Sequence, residues 1–304
     1  TVFNKKQPPH RTIAIALDMS KAFDTVNHHT LIQKITNTNI PNTITKFISN
    51  YIKGRKQFTQ FNHSRSKQRL VKAGVPQGGV LSPTLFNIYT ADLPTPPPAV
   101  HTITYADDIT ILSTHTKPNN AQTQVQPYLN KIHNWTKENS LTLNPSKTTS
   151  TLFTPDPAEY NNTLTLKIQD TTIPTTKHPK LLGLTLDPKL NYTKHIQITQ
   201  QKAKQSINLM KALTTTHWGK TKETLLTTYK TITRPIIEYA NTVWSPIISS
   251  TNTQKLQTVQ NTALRLITGC TQDTNTQHLH DETSILPIKH HLKLHASQMR
   301  QKTL

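Results

Sequence analysis

The sequence predicts an α+β lobe followed by a mostly α-helical one, and three patterns carry that reading. Arg11–Asp18 (RTIAIALD) alternates like a half-buried strand. Thr102–Leu112 (TITYADDITIL) places strand-favouring Thr and Ile on both sides of two adjacent acids. Beyond about Tyr192, residues Ile196, Ala203, Ile207, Met210 and Leu213 recur near helical spacing, with Lys202, Lys204 and Lys211 between them. A chain of 304 residues suits two domains or one large multi-lobed one. The change of character divides it into residues 1–190 and 191–304.

Taken in order, Ile13, Ile15 and Leu17 form the packing face of the first strand. Ala14, Ala16 and Asp18 form a smooth second face that ends in a carboxylate. A helix is expected through Lys21–Ile35 and a second through Pro41–Ile52. Gly54–Gly74 reads as a β-hairpin in which Arg55, Lys56, Arg65, Lys67, Arg69 and Lys72 are interleaved with Phe58 and Phe61. Gly74–Leu93 passes from loop to helix, with Ser82 as N-cap and Pro83 at the first helical position. Three of the seven glycines, Gly74, Gly78 and Gly79, fall in that one loop. Pro94–Val100 is a stiff connector to the hairpin around Asp107. A helix near Gln122–Ser140 follows, shortened or kinked by Pro127, and Leu141–Phe153 and His178–Asp187 read as further strands and turns. Lys222–Trp244 and Gln254–Gly269 read as helices.

Lys and Arg number 35 against 15 Asp and Glu, for a formal charge of +20. Such an excess points to a polyanionic partner, most simply nucleic acid, the alternative being a solvated surface. The single cysteine, Cys270, excludes a disulfide framework and any zinc site built on paired cysteines. It suits a reducing compartment. The histidines, including those of Lys289–His291 and His278–His280, have no acids or cysteines at zinc-ligand spacing. No apolar run approaches the roughly 18 residues a membrane span needs, and no signal peptide is visible. A chain opening on Thr1 is expected to be a piece of a longer polypeptide.

With acids so scarce, their placement is informative. Asp18 ends a strand, and Asp107 and Asp108 sit mid-hairpin far along the chain. Neighbouring acids repel, and a strand is a costly place to hold them without positive charge between them. If the two strands are neighbours in one sheet, three carboxylates meet at its edge. Oxygen-only ligands suit Mg²⁺, which binds through one or two carboxylates plus substrate phosphates. Two such ions roughly 4 Å apart activate an attacking 3′-hydroxyl and stabilise the leaving pyrophosphate oxygen. The alternative is a turn in which Asp107 and Asp108 cap backbone amides.

Five segments in order, DMSKAFDTVNH, GVPQGGVLSP, YADD, LTLNPSKT and LLGLTLD, resemble the reverse transcriptases of non-LTR (LINE-like) retrotransposons. The match is strongest to animal elements whose reading frame also encodes an endonuclease. It continues through LQTVQNTALRLITG and HDETSILPI, nearly the whole chain. The resemblance implies a right-hand polymerase: a palm of antiparallel sheet and packed helices with partial fingers, then a helical thumb and tail. It implies RNA-directed DNA polymerase activity with two Mg²⁺ ions (Mn²⁺ as a substitute). The implied partners are an RNA template, a DNA primer, their RNA–DNA hybrid and dNTPs. Asp18 and Asp107 would bridge both metals, with Asp108 supporting. Phe23 would be the steric gate against a 2′-hydroxyl, or read without the family, a core aromatic. Asp24 would be structural. Gln77 and Gly78 would lie against nucleotide and template, the alternative being an ordinary turn. Tyr105 would support the primer terminus or simply fill the sheet. Lys147 would protonate departing pyrophosphate as a general acid, its bland reading being a solvated turn. Leu182 and Gly183 would shape the primer grip through their backbone.

In the family a fingers region precedes the first motif, whereas seventeen residues precede Asp18 here. The expected chain therefore has partial fingers, is weakly active or inactive alone, and belongs to a parent protein with an endonuclease domain. That parent would work in the nucleus by target-primed reverse transcription, with cytoplasmic ribonucleoprotein assembly. Two rivals stay open: another palm polymerase (an RNA-copying RNA polymerase or an intron maturase), and a truncated remnant that only binds nucleic acid.

Overall fold

The computed structural model describes residues 9–212, 214 and 220–303. It divides into two compact units, with the break between Pro179 and Lys180.

The first unit is built on a four-stranded antiparallel sheet with Arg11–Leu17 as an inner strand. Asp108–His115 lies on one side of it and Thr149–Phe153 on the other, while Val100–Tyr105 pairs with the outer edge of Asp108–His115. The alternation in the first strand is realised: Ile13 and Ile15 are wholly buried, Leu17 nearly so, and Ala14 and Ala16 are half-buried on the other face. Full burial of each Ile contributes on the order of 1.5–3 kcal/mol. These side chains share one core with Val125, Leu129 and Ile132 of the helix Pro118–Glu138. Pro127 does not shorten that helix, which runs on for 21 residues.

The helix expected through Lys21–Ile35 is broken. A short turn, Ala22–Thr25, and a separate helix, His28–Thr36, flank Val26 and Asn27. Asn27 accepts from the backbone N–H of His29 and Thr30, a cap that begins a new helix. The carbonyl of Val26 is taken by the N–H of Gly74 at 2.8 Å. Ser82 also departs from expectation: it is the first helical residue of Ser82–Tyr89, and its hydroxyl donates to the carbonyl of Pro76 and does not cap the helix. The basic segment does form a hairpin, with Lys56–Gln57 paired to Arg69–Leu70 and Gln60–Phe61 paired to Ser64–Arg65.

The second unit begins eleven residues before the expected boundary, with the hairpin Lys180–Leu181 and Leu184–Thr185. The reason is local bonding. The N–H of Thr185 donates to His195 Nδ1, and the hydroxyl of Tyr239 donates to the carbonyl of Leu182 at 2.7 Å. Helices follow, the longest being Thr193–Ala212, Ser250–Thr268 and Ile288–Thr303. Ile196, Ala203, Ile207 and Met210 are buried as their spacing predicts; Leu213 lies outside the described residues. Lys222–Glu238 is helical with one π turn, Tyr229–Thr233, just ahead of Pro235, whose missing N–H interrupts the ladder. Among the described residues, no helix is long and apolar enough to cross a membrane.

Candidate active site

The strand register decides whether the acids meet. Leu17 faces Ile109 across the ladder, so one step further brings Asp18 alongside Asp108, the first residue of its strand. Directly opposed residues in an antiparallel pair share a face. Asp18 and Asp108 therefore share the face of Ala16 and Thr110, away from Leu17 and Ile109.

Tyr105 pairs with Asp108 across a two-residue turn of Ala106 and Asp107. Of the two turn residues only Ala106 has positive φ, 52°, an uncommon conformation for a residue with a Cβ. The turn projects Asp107 beyond the ladder, and Tyr105 stands exposed at its base, not filling the sheet.

Asp108 carries the electrostatic signature of this grouping. Partial burial beside the hairpin turn, then the negative charges of Asp107 and Asp18, raise its carboxyl above the ordinary 3.8. Among the described residues, none of the ion pairs involves Asp18, Asp107 or Asp108. Nor does any trio of His, Cys, Asp or Glu among them converge closely enough to hold a metal ion unaided. Asp18, Asp107 and Asp108 thus lie along one open sheet edge and do not close into a cage. That donor set fits a hard divalent cation whose shell substrate phosphates complete.

The loop carrying Lys147 is stapled to Asp18. The N–H of Asn144 donates to the Asp18 carbonyl at 2.8 Å, and the N–H of Asp18 donates to Thr148 Oγ1 at 3.2 Å. Thr148 is wholly buried and Lys147 exposed, so the turn is fixed while its ammonium is free to reach solvent.

Phe23, half-buried, stacks on the buried Phe86 with ring centroids 4.6 Å apart. Its carbonyl accepts from the N–H of Val75, tying the first motif to the glycine loop. Gln77 Nε2 donates to Asp24 Oδ1 at 2.9 Å, which gives Asp24 a positioning contact. Gly78 has φ +81°, and a Cβ there would meet nothing within 4 Å. The tight position is Gly74: at φ +89°, an added Cβ would fall 2.8 Å from the Cα and carbonyl oxygen of Asp24. Gly74 also receives hydrogen bonds at its carbonyl from Arg55 and His28.

Sequence reasoning missed the roles of Gly74, Thr148, Lys21 and Arg55. Lys21, Arg55 and Lys72 line, with Asp24 and Gln77, a cleft of about 770 Å³. Only the clustering of glycines hinted at Gly74.

In the second unit, Leu182 and Gly183 form a tight turn with φ of 44° and 82°, both central residues positive. A Cβ at Gly183 would lie 3.0 Å from the Tyr239 ring. In the histidine-rich tail, His291 bonds to both Glu238 and Arg234.

Comparison with known proteins shows the family to which the chain is similar. The profile of the reverse transcriptase (RNA-dependent DNA polymerase) family matches residues 2–186. The probable RNA-directed DNA polymerase from transposon BS of Drosophila melanogaster is 30% identical over 292 residues, 94% of this chain and 32% of that protein. The RNA-directed DNA polymerase from mobile element jockey of Drosophila funebris is 30% identical over 260 residues, 83% of this chain and 28% of that protein. This chain spans about a third of the length of these relatives. Among solved structures, telomerase from Candida tropicalis with a fragment of telomeric RNA aligns over 96% of this chain and 50% of its own, at 12% identity and a TM-score of 0.45.

Proposed function

This chain belongs to the reverse transcriptase (RNA-dependent DNA polymerase) family, and we propose that its first unit carries the nucleotidyl-transfer centre of a non-LTR retrotransposon's RNA-directed DNA polymerase. The observation that supports this most is the register that sets Asp18 beside the Asp107–Asp108 turn.

In this reading Asp18 and Asp107 hold two Mg²⁺ ions, or Mn²⁺ in their place, with Asp108 in support. The ions would supply activation of the primer 3′-hydroxyl and neutralisation of the leaving pyrophosphate. The chain's own residues do the rest. Phe23, braced against Phe86, sets the floor under the sugar and leaves no room for a 2′-hydroxyl. Gln77, oriented by Asp24, and Gly78 face the nucleotide and template without adding charge. Tyr105 supports the primer terminus, and Lys147 gives a proton to the departing pyrophosphate. Leu182 and Gly183 offer backbone to the primer strand. Template RNA, DNA primer, RNA–DNA hybrid and dNTPs are the substrates and partners. The parent protein would add an endonuclease domain and act in the nucleus on a nicked primer.

Primer extension on an RNA template by the full-length parent protein, in which this chain would be one part, tests this. Extension is expected with dNTPs and not rNTPs, with Phe23→Ala admitting rNTPs. Preference of the unaltered chain for rNTPs, or extension that survives Asp107→Ala, overturns the reading.

A further inference from the structure

We propose that the hairpin Gly54–Gly74 is a binding platform for unpaired nucleic acid, on which bases stack against Phe61 and Phe58 while the flanking cations hold phosphates. It rests on the family reading only for the kind of partner; its geometry stands apart from the carboxylate centre.

Four observations converge. First, charge: Arg55, Lys56, Arg65, Lys67, Arg69 and Lys72 occur in this segment with no Asp or Glu among them. Second, aromatic exposure: Phe61 is 78% exposed and Phe58 45%. Two large apolar rings left in water on a short ladder stabilise nothing in the core.

Third, pre-organisation. The guanidinium of Arg65 lies 5.3 Å from the centre of the Phe58 ring, and its Nε donates to Gln60 Oε1 at 3.0 Å. A cation already set over an aromatic face is ordered for contact with a base or phosphate. Asn62, at φ 52°, opens the two-residue turn that places Phe61 next to the tip.

Fourth, shape. Between the two paired stretches the outgoing strand has two residues, Phe58 and Thr59, and the returning strand has three, Ser66, Lys67 and Gln68. This mismatch interrupts the ladder. It leaves a concavity of about 590 Å³ lined by Phe58, Lys67 and Arg69 among others. Thr59 and Ser66 close the floor through mutual hydrogen bonds of 2.9 Å. The root of the hairpin, at Arg55, Gln57 and Leu70, lines the same cleft as Asp24 and Gln77. A strand lying in that cleft continues onto the platform without leaving the first unit.

The chemistry favours single strands over duplex. Every base has a π-face that an exposed phenyl ring can cover, but only when it is unpaired. No side chain here is arranged as a groove reader, so binding is expected to be tolerant of sequence and steep in salt.

The test measures binding by the full chain, with neither primer nor nucleotide present. The probes are a short unstructured oligoribonucleotide and a blunt RNA duplex, each with a fluorescent end label, followed by anisotropy across a salt series. Phe58→Ala with Phe61→Ala is expected to weaken single-strand binding by about tenfold or more while leaving duplex binding and the salt slope unchanged. Phe61→Trp is expected to retain binding and to show indole quenching by the stacked base. Lys67→Ala with Arg69→Ala is expected to flatten the salt slope. Both rings are exposed, so circular dichroism and melting of the double variant should match the parent chain. Unchanged single-strand affinity in the double variant, equal loss for both probes, or no single-strand binding at low salt overturns the proposal. Failure of primer extension leaves it standing, since no synthesis is involved.

Discussion

At the start of the central strand, Arg11 donates from Nε to Glu159 at 2.9 Å, and Thr154 donates to the same carboxylate at 2.5 Å. At the other end, Asp18, Asp107 and Asp108 stand together with no ion pair among the described residues. One strand thus carries two opposite treatments of charge. At the Glu159 end, burial pushes the carboxyl up, but the bonds from Arg11 and Thr154 outweigh it and hold Glu159 below its ordinary 4.5. At the Asp108 end, burial and like charge act together and the carboxyl rises. The first end contributes stability; the second gives some up.

Asp18→Asn is expected to cost about a thousandfold or more in primer extension, several kcal/mol of lost transition-state stabilisation. Melting should not fall, because the variant removes a repelling charge.

Next in size is Gly74→Ala. The added Cβ would meet Asp24 backbone at 2.8 Å in a φ that disfavours side chains. We expect about 3 kcal/mol of destabilisation by chemical denaturation. Gly78→Ala, with open space around it, should cost about 1 kcal/mol.

Glu159→Gln breaks the paired end. Side-chain exposures of 16% and 19% for Arg11 and Glu159 make the pair largely buried, and its loss should cost about 2 kcal/mol. For a unit of this size that lowers the melting temperature by roughly 4–8 °C. The pH dependence follows from the sign of the shift. Glu159 is depressed when folded, so its contribution is complete above its unfolded pKa near 4.5 and disappears as pH falls through the folded value below that. The variant should therefore lose its deficit in acid.

Asp108 is raised when folded, so its charged form opposes folding once pH exceeds its unfolded pKa near 3.8. Asp108→Asn should melt at the same or a slightly higher temperature than the parent chain at neutral pH, and the difference should vanish in acid.

Much of this was legible from local pattern. Two-residue alternation gave Arg11–Leu17, the Thr- and Ile-rich run gave the hairpin, and helical spacing gave Thr193–Ala212. What escaped depends on specific hydrogen-bond partners, several of them remote in sequence. Helix propensity runs through Lys21–Ile35, but the Gly74 N–H claims the Val26 carbonyl and Asn27 restarts the helix. Ser82 has the chemistry of a cap, yet its hydroxyl is taken by Pro76. The Arg11–Glu159 pair joins residues 148 positions apart, and no periodicity announces it. The acids were visible as a motif, and the register that joins Asp18 to them was a conditional statement until the ladder fixed it.

In the proposed reading Asp18, Asp107 and Asp108 form one cation-seeking edge. Manganese-induced broadening of isotope-labelled aspartate carboxyl signals probes that edge residue by residue. Asp18, Asp107 and Asp108 should be lost at the lowest Mn²⁺, well before Asp24, Asp92 or Asp156. Broadening that spreads evenly over all the aspartates, or spares Asp18 while taking the other two, would contradict it.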